Sequence, residues 1–185
     1  TYTQNTTLVI TADSASYVYN GTARSVTTGT VNVSGVTVTG YTVSGSGTNV
    51  GSYTTSVMLG AVQIMNGATD VTYQYDVSTV NGTLPINPAD TTANSSGYTG
   101  TYDNLPHGIT VTPTISGSTV KYSLTNSTNP ADYSATMPTA TDATAGTKVY
   151  FVVTNPNYNP VFGNETIVIN KRTVALTTST ASQMY

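Results

Sequence analysis

The sequence predicts an all-β chain built from two tandem antiparallel β-sandwich domains. The first reason is composition, because 40 threonines, 16 glycines and 14 tyrosines accompany only two phenylalanines and no tryptophan. Threonine, valine and tyrosine fit the half-buried surface of a pleated sheet. Charged residues make up 7% of the chain and only one is a glutamate, so strong helix formers are scarce. An internal repeat and a series of short alternating segments are the other two reasons.

Two landmarks recur at the same spacing along the chain. Tyr19, Tyr102 and Tyr185 are evenly spaced, since 102 − 19 and 185 − 102 both equal 83. We call this spacing the repeat interval. Ile86-Asn87 recurs as Ile169-Asn170 after one repeat interval. A period of this length exceeds that of a solenoid repeat, so each unit should be a small domain with its own core.

The repeat places the domain boundaries. We expect a first domain at residues 1–88, a second at 89–171 and the truncated start of a third at 172–185. Residues 174–185 align with residues 8–19, which predicts a fragment of a longer array. Residues 88–94 are the predicted linker, and they are too short for free movement, so an elongated, semi-rigid rod is expected.

Strand signals are short and frequent in the first domain. Asn20-Gly21 and Asn81-Gly82 adjoin alternating segments and predict turns of the hairpin type, because both residue types tolerate positive φ. Strands at this spacing, with a polar outer face, indicate two packed antiparallel sheets. The predicted strands are Leu8–Thr11, Val31–Ser34, Val36–Tyr41, Ser52–Leu59, Val71–Val80 and Leu84–Asn87.

The second domain follows the same pattern. In one of its segments Val149, Phe151 and Val153 share a face, and Tyr150 and Val152 lie on the other, which predicts a central strand. Residues 155–160 form a turn-rich connection. The predicted strands are Ile109–Ile115, Thr119–Leu124, Lys148–Val153 and Glu165–Asn170.

Several segments taken together resemble a known family. The second domain contains Tyr102-Asp-Asn-Leu-Pro-His-Gly and Ala145-Gly-Thr-Lys-Val-Tyr-Phe-Val-Val-Thr-Asn-Pro-Asn-Tyr, and it closes on Thr166-Ile-Val-Ile-Asn-Lys-Arg. The first contains Ser14-Ala-Ser-Tyr-Val-Tyr-Asn-Gly-Thr-Ala and Val80-Asn-Gly-Thr-Leu-Pro-Ile. This set is similar to the MBG-type bacterial Ig-like repeats, which carry a Tyr-Asp-Gly motif in the stalks of surface proteins of lactobacilli and related Firmicutes. The resemblance implies two Ig-like domains outside the cell, associated with the wall of a Gram-positive bacterium.

The resemblance also marks a structural motif in each domain. Asn20 stands where the motif has Asp, and Asn104 stands where it has Gly. Asparagine tolerates the left-handed backbone conformation, so the turn should form in both domains. The motif residues are Tyr19, Asn20 and Gly21 in the first domain and Tyr102, Asp103, His107 and Gly108 in the second.

Candidate chemistry is sparse. His107 is the only histidine and cysteine is absent, whereas a general base or a metal site needs partners. A structural hydrogen bond is therefore the expected role of His107. The eight acids are scattered too thinly for calcium, and they offer no pair shared by both domains for glycoside hydrolysis. We expect no enzymatic activity, no metal and no cofactor.

The tyrosines admit two interpretations. They could form stacking platforms for sugars, or they could replace Phe and Trp as large core residues with the hydroxyl at the rim. Their period-2 placement favours the second interpretation. The residues concerned are Tyr17, Tyr19, Tyr41, Tyr53, Tyr73, Tyr75, Tyr98, Tyr102, Tyr122, Tyr133, Tyr150 and Tyr158.

Charge and hydropathy narrow the class of partner. The net charge is −3 and no basic patch is present, which argues against nucleic acid. No apolar run approaches membrane-spanning length.

The expected role is a non-catalytic stalk that projects a functional domain from the cell wall. The chain is expected to be a monomer whose partners are its neighbouring repeats. The alternative is an adhesive module that binds mucin glycans or another extracellular ligand, and a third possibility is assembly through exposed strand edges.

A covalent staple is not expected in either domain. The ingredients of an intramolecular Lys–Asn isopeptide bond, with an acid to promote it, occur in the second domain as Lys121, Lys148, Asn164 and Glu165. The first domain has no lysine. A feature common to the repeat should not depend on a residue that one copy lacks.

Overall fold

The computed structural model describes residues 5–177 and residue 183. It consists of fifteen strands and two short 3-10 turns, with no α-helix among these residues, which confirms the all-β prediction. The described chain divides into two compact units. Unit 1 comprises residues 5–90 with Pro156–Tyr158, and unit 2 comprises Thr91–Asn155 with the residues from Asn159 onward. Tyr185, the third landmark of the repeat, lies outside the described residues.

Unit 1 contains two sheets. The first has the strand order β4-β1-β8, and the second has the order β2-β9-β6-β5-β3, with β7 added beside β6. A 3-10 turn at Thr72–Gln74 precedes β8. The strands are β1 Thr6–Ala12, β2 Tyr17–Val18, β3 Arg24–Val26, β4 Gly29–Val31, β5 Thr37–Gly47, β6 Gly51–Asn66, β7 Thr69–Asp70, β8 Tyr75–Val80 and β9 Gly82–Asn87.

The core of unit 1 lies between these sheets. Leu8 and Ile10 of β1 and Ile64 of β6 are fully buried and form one cluster with Val71. Partly buried valines and tyrosines from β4, β5, β6 and β8 surround them. Alternation along β1 explains the arrangement, because Leu8 and Ile10 occupy the same face of the strand.

Unit 2 also contains two sheets, with the orders β10-β12 and β11-β15-β14-β13. A 3-10 turn at Pro130–Asp132 lies in the segment between β13 and β14. The strands are β10 Ala93–Ser96, β11 Tyr98–Thr101, β12 Thr110–Pro113, β13 Thr119–Ser123, β14 Thr144–Asn155 and β15 Tyr158–Asn170.

Strand β14 is central, as its sequence predicts. Val149, Phe151 and Val153 face a core that also contains Ile167 of β15. Val152, on the opposite face, is also fully buried. β14 lies between β13 and β15, so neighbours cover both its edges and both its faces.

The prediction of purely antiparallel sheets is wrong. Three strand pairs are parallel, namely β1 with β8, β2 with β9, and β11 with β15. In each unit the chain crosses from the first sheet to the second after its first strand, and the next short strand then runs beside the last strand of the unit. Local alternation reports which face of a strand is buried, but not which strand lies next to it.

The hairpins predicted at the two Asn-Gly pairs are also wrong. β2 and β3, on either side of Asn20-Gly21, lie at opposite edges of one sheet, and β8 and β9, on either side of Asn81-Gly82, lie in different sheets. Gly21 does have the positive φ expected of a turn, at 79°. Gly82 instead lies within β9, where a Cβ atom would be 2.4 Å from the Asp13 carbonyl oxygen. Glycine at this position therefore permits the close approach of two backbone segments and does not form a turn.

The predicted linker and the strand predicted from Val71 also have different boundaries in the structure. The predicted linker overlaps β10, which begins at Ala93. The predicted strand from Val71 begins only at Tyr75, because Asp70 Oδ1 accepts hydrogen bonds from both the N–H and the hydroxyl of Thr72 at 2.9 and 2.7 Å. Such local side-chain bonds stabilise a turn in competition with a strand.

Candidate functional site: the Tyr-Asx-Gly corners

The first corner, Tyr19-Asn20-Gly21, follows β2. The Tyr19 N–H donates to the Asn87 carbonyl at 2.9 Å, which extends the parallel β2–β9 pair. The Asn20 side-chain oxygen accepts from the Thr22 N–H at 3.1 Å and from its hydroxyl at 2.7 Å. An Asn oxygen bonded to the second residue onward closes an Asx turn. Gly21, in the left-handed conformation, then turns the chain after β2.

The second corner, Tyr102-Asp103-Asn104, repeats this geometry after β11. The Tyr102 N–H donates to the Asn170 carbonyl at 2.9 Å, and Asp103 Oδ1 accepts from the Leu105 N–H at 2.9 Å. Asn104 has φ 65°. The prediction that the turn forms in both units, despite the changes from the Tyr-Asp-Gly motif, is confirmed.

The two corners begin from strand pairs in the same register. Each residue of the second pair lies one repeat interval after its counterpart in the first, so the sequence repeat is also a repeat of hydrogen-bond register. The Cα partners are Tyr17 with Ile86 and Val18 with Asn87 in unit 1, and Gly100 with Ile169 and Thr101 with Asn170 in unit 2.

His107 packs into the second corner. Its ring stacks on that of Tyr98 with the centroids 3.8 Å apart and the planes 9° from parallel. Nε2 lies 2.9 Å from Asp103 Oδ1 and 3.2 Å from the Tyr98 hydroxyl. In parallel stacked rings the hydroxyl lies above the imidazole plane, so Asp103 is the acceptor for the in-plane N–H. The backbone of His107 exchanges two hydrogen bonds of 2.9 Å with Ala140.

Two glycines make room around this histidine. A Cβ atom at Gly100 would lie 2.3 Å from the Tyr98 hydroxyl oxygen, and one at Gly108 would lie 2.4 Å from the Met137 methyl group. Gly100 therefore lets the Tyr98 ring lie along β11 toward His107. Gly108, the last motif residue, leaves the space that Met137 fills.

Arg24 is the counterpart of His107 in unit 1, since 107 − 24 is again the repeat interval. Its guanidinium carbon lies 4.7 Å from the centroid of the Tyr17 ring, within cation–π range. Arg24 Nε is buried without a hydrogen-bond partner. Sequence reasoning missed the Arg24–Tyr17 and His107–Tyr98 pairs. The shared repeat interval was the signal that could have revealed that Arg24 and His107 correspond.

The electrostatics of the second corner follow from these contacts. Donation from His107 and from the Leu105 N–H holds the pKa of Asp103 below its ordinary value, because hydrogen bonds to the charged form of a carboxylate favour that form. The carboxylate therefore links the backbone of the turn to the imidazole. These hydrogen bonds hold the chain in its turn at the second corner.

Neither a metal cluster nor a membrane-spanning helix occurs in the part of the chain that the structure describes. Across residues 5–177, no group of three or more His, Cys, Asp or Glu side chains is placed to hold a metal ion. No helical segment in that range has the length and hydropathy needed to cross a bilayer. Asp103 and His107 direct their hydrogen bonds to the corner itself.

The twelve tyrosines that the structure describes are mostly half-buried. Tyr73 is 75% exposed, Tyr133 is buried at 5% exposure, and the other ten are intermediate. Tyr133 packs its ring 6.0 Å from that of Phe162 and donates its hydroxyl to the Ser127 carbonyl at 2.8 Å. A buried ring with its hydroxyl bonded at the rim matches the core interpretation.

Two of the residues considered for a covalent staple, Glu165 and Lys148, have other neighbours. Ser95 donates its hydroxyl to a Glu165 carboxylate oxygen at 2.6 Å. The Lys148 amine lies 6.0 Å from the centroid of the Tyr150 ring. Glu165 thus connects β15 to β10.

The sequence matches no model of a known protein family. It also matches no curated protein. Among solved structures, the chain is similar to the ectodomain of human desmocollin-1, with 12% sequence identity and a TM-score of 0.27. The match covers 92% of this chain and 40% of the desmocollin chain, so this chain spans less than half of that protein's length.

Proposed function

We propose that units 1 and 2 are Ig-like β-sandwich repeats of the MBG type, which form part of a non-catalytic stalk in a large surface protein of a Gram-positive bacterium. The observation that carries this proposal is the corner and its parallel strand pair, which recur after one repeat interval in the same register. A repeat preserved to the level of individual hydrogen bonds is typical of a chain built by copying one structural unit.

The direction of the strands supports a linear array. In each unit the strand that enters the corner runs parallel to the last strand, as β2 does to β9 and β11 to β15. The chain therefore leaves a unit in the direction in which it ran into the corner. Repeats with this property can follow one another along a line.

The alternative, an adhesive module for mucin glycans or another extracellular ligand, has less support. Ten of the twelve tyrosines are half-buried and one is buried, whereas a sugar platform presents the flat face of an aromatic ring to solvent. Tyr73 is the exception at 75% exposure. Binding to a glycan array that is lost in Tyr73→Ala would favour this alternative.

Small-angle X-ray scattering tests the stalk. The proposal predicts an elongated particle with two lobes, because each repeat holds its own core. The measurement should be made over a dilution series, so that association between chains is separated from the shape of one chain. A compact globular particle at the lowest concentration would overturn the proposal.

A further inference from the structure

Unit 1 contains three Asn-Gly pairs, namely Asn20-Gly21, Asn66-Gly67 and Asn81-Gly82. Asparagine before glycine is prone to intramolecular reaction, because the glycine nitrogen can attack the neighbouring side-chain amide and glycine has no side chain to obstruct the approach. The reaction needs an accessible glycine nitrogen and an asparagine side chain that is free to rotate toward it. Since the three pairs have the same sequence, the fold decides which of them meets both conditions.

In the first pair the asparagine side chain is held in place. The Asn20 side-chain oxygen accepts hydrogen bonds from the Thr22 N–H at 3.1 Å and from its hydroxyl at 2.7 Å. Both bonds of this Asx turn must break before the Asn20 carbonyl carbon can approach the Gly21 nitrogen. The first corner therefore protects its own Asn-Gly pair.

In the third pair the glycine is enclosed. Gly82 is buried in β9, where it pairs with Thr55 of β6. A Cβ atom at Gly82 would lie 2.4 Å from both the Asp13 carbonyl oxygen and the Thr55 hydroxyl oxygen. A new bond at the Gly82 nitrogen needs rotation of this crowded backbone, so Asn81-Gly82 is also protected.

The second pair is open at both residues. Asn66 is the last residue of β6, and residues 67–68 form the two-residue turn before β7. Asn66 and Gly67 are both exposed. Apart from its chain neighbours, no described atom lies within 4 Å of the position that a Gly67 Cβ atom would occupy. Among the described residues, none forms a hydrogen bond with the Asn66 side chain.

The turn also leaves the Gly67 nitrogen available. The Cα partners on either side of the turn are Asn66 and Thr69. Gly67 has φ 58°, which the first central position of a primed hairpin turn requires. Such a turn is closed by the residues that flank it, so the N–H of Gly67 takes no part in the closing hydrogen bond.

We propose that Asn66-Gly67 is a site of spontaneous modification, while the fold protects the other two Asn-Gly pairs. The Gly67 nitrogen attacks the Asn66 side-chain carbonyl carbon and forms a new C–N bond. The amide C–N bond breaks, and ammonia leaves with the proton of the Gly67 N–H. Water then opens the resulting succinimide at either carbonyl carbon and leaves aspartate or isoaspartate at position 66. The step needs no reactant other than water, and it does not depend on the stalk function.

The isoaspartate product should loosen the β6–β7 hairpin. Isoaspartate carries the main chain through the former side chain and so lengthens the chain by one carbon atom at the Asn66–Thr69 pair. Residues just beyond this pair are attached to the core of unit 1, because the Val71 N–H donates to the Ile64 carbonyl at 2.9 Å and the two side chains belong to one buried cluster. We expect that attachment to weaken, since a change of one residue atom in the main chain disturbs strand register.

Peptide mapping of the full chain after incubation in mildly alkaline buffer is the first test. Loss of the amide proton makes the Gly67 nitrogen a better nucleophile. Each conversion raises the mass by about 1 dalton, and chymotrypsin, which cuts after tyrosine and leucine, places the three pairs in different peptides. Asn66 should react on the order of ten-fold faster than Asn20 or Asn81, which corresponds to about 1.4 kcal/mol of protection at those two pairs.

Two controls make the comparison specific to the fold. Asn66→Gln should abolish the early gain of mass, because the longer side chain does not form the succinimide. In guanidinium chloride the three pairs should react at similar rates, because the unfolded chain protects none of them. An unreacted Asn66 in the folded chain, or equal rates at the three pairs in the folded chain, would overturn the proposal.

Hydrogen exchange of the modified chain tests the structural consequence. Ion exchange separates this chain from the parent, since the modification adds one negative charge. Exchange should be faster at residues 69–71 in the isoaspartate chain than in Asn66→Asp, which has the same charge and an ordinary main chain. Equal exchange in these two chains would contradict the proposed loosening of the hairpin.

Discussion

In both units the chain crosses from the first sheet to the second and passes close to the last strand. A glycine permits this close approach in each unit, but it lies in the last strand of one unit and in the crossing segment of the other. In unit 1 the glycine belongs to the last strand, where a Cβ atom at Gly82 would lie 2.4 Å from the Asp13 carbonyl oxygen. In unit 2 it belongs to the crossing segment, where a Cβ atom at Gly97 would lie 2.3 Å from the Thr166 carbonyl oxygen.

The positions opposite these glycines carry side chains that hydrogen-bond across the crossing. In unit 1 the Ser14 hydroxyl accepts from the Thr83 N–H at 2.9 Å. In unit 2 Ser95 donates to Glu165 at 2.6 Å. Ser14 corresponds to Gly97 and Gly82 to Glu165, each after one repeat interval. The repeat therefore preserves the close approach of two strands, and not the residue that permits it.

Substitution of the paired core residues has the largest expected effect. Leu84 and Ile167 are separated by one repeat interval and both are fully buried. Leu84→Ala and Ile167→Ala should each cost about 2–5 kcal/mol, because each leaves a cavity in a packed core. Hydrogen exchange followed by mass spectrometry should show faster exchange chiefly in the altered unit. Equal acceleration in both units would mean that the chain has one cooperative core.

The crossing glycines come next. Gly82→Ala and Gly97→Ala should each destabilise by about 1–3 kcal/mol or more, because the new methyl group meets backbone oxygen, which cannot rotate away. Urea unfolding measures the loss. Gly51→Ala is the matched control, since its Cβ atom would be in ordinary contact at 3.7 Å from the nearest atom. Equal effects at Gly51 and Gly82 would show that the close approach is not the reason for the glycine.

The corners should respond differently to alanine and to glycine. Gly21→Ala and Asn104→Ala should each cost about 1 kcal/mol, because both positions have a left-handed backbone. Asn104→Gly should lie within about 0.5 kcal/mol of the parent. Thermal unfolding checks these values. A large loss for Asn104→Gly would assign the Asn104 side chain, which accepts from the Tyr102 hydroxyl at 3.1 Å, a larger role than its backbone conformation.

The smallest expected effect is a difference in acid sensitivity between the two corners. The folded-state pKa of Asp103 lies below its ordinary value of 3.8, chiefly because His107 donates to it. Its contribution to stability is therefore complete above that value and is lost as the pH falls through the lower, folded-state pKa. Asn20, at the first corner, does not titrate. Asp103→Asn should flatten the acid dependence of unit 2.

Asp70 provides the corresponding control in unit 1. Its pKa is also lowered, chiefly by the Thr72 hydroxyl, so Asp70→Asn should flatten the acid dependence of unit 1 instead. Hydrogen exchange at several acidic pH values, corrected for intrinsic rates, distinguishes the units. If neither substitution changes the acid dependence of hydrogen exchange in its own unit, these carboxylates do not contribute to acid unfolding.

The strands and the buried faces could be predicted from the sequence, because side-chain alternation follows directly from strand geometry. Val149, Phe151 and Val153 illustrate this, since their period-2 spacing places all three in the core of unit 2. The conformation of the corner was also predictable, because the tolerance of Asn104 for positive φ is a local property.

Pairing and close approach could not be predicted in this way. Asn81-Gly82 has the composition of a hairpin turn. Glycine is needed at Gly82 for another reason, because the carbonyl oxygen of Asp13, far earlier in the chain, leaves no room for a Cβ atom. The parallel pairing of β1 with β8 depends in the same way on distant segments. The stacking of His107 on Tyr98 requires the missing side chain of Gly100, a relation that no local pattern contains.

Stretching a single molecule between its two ends shows whether the chain is a series of equivalent structural repeats. Two separate unfolding events of similar length are expected. Each should release slightly less than about 300 Å, since the chain of one repeat interval extends by roughly 3.6 Å per residue. A single event that releases the whole chain, or two events of clearly unequal length, would show that units 1 and 2 are not equivalent repeats.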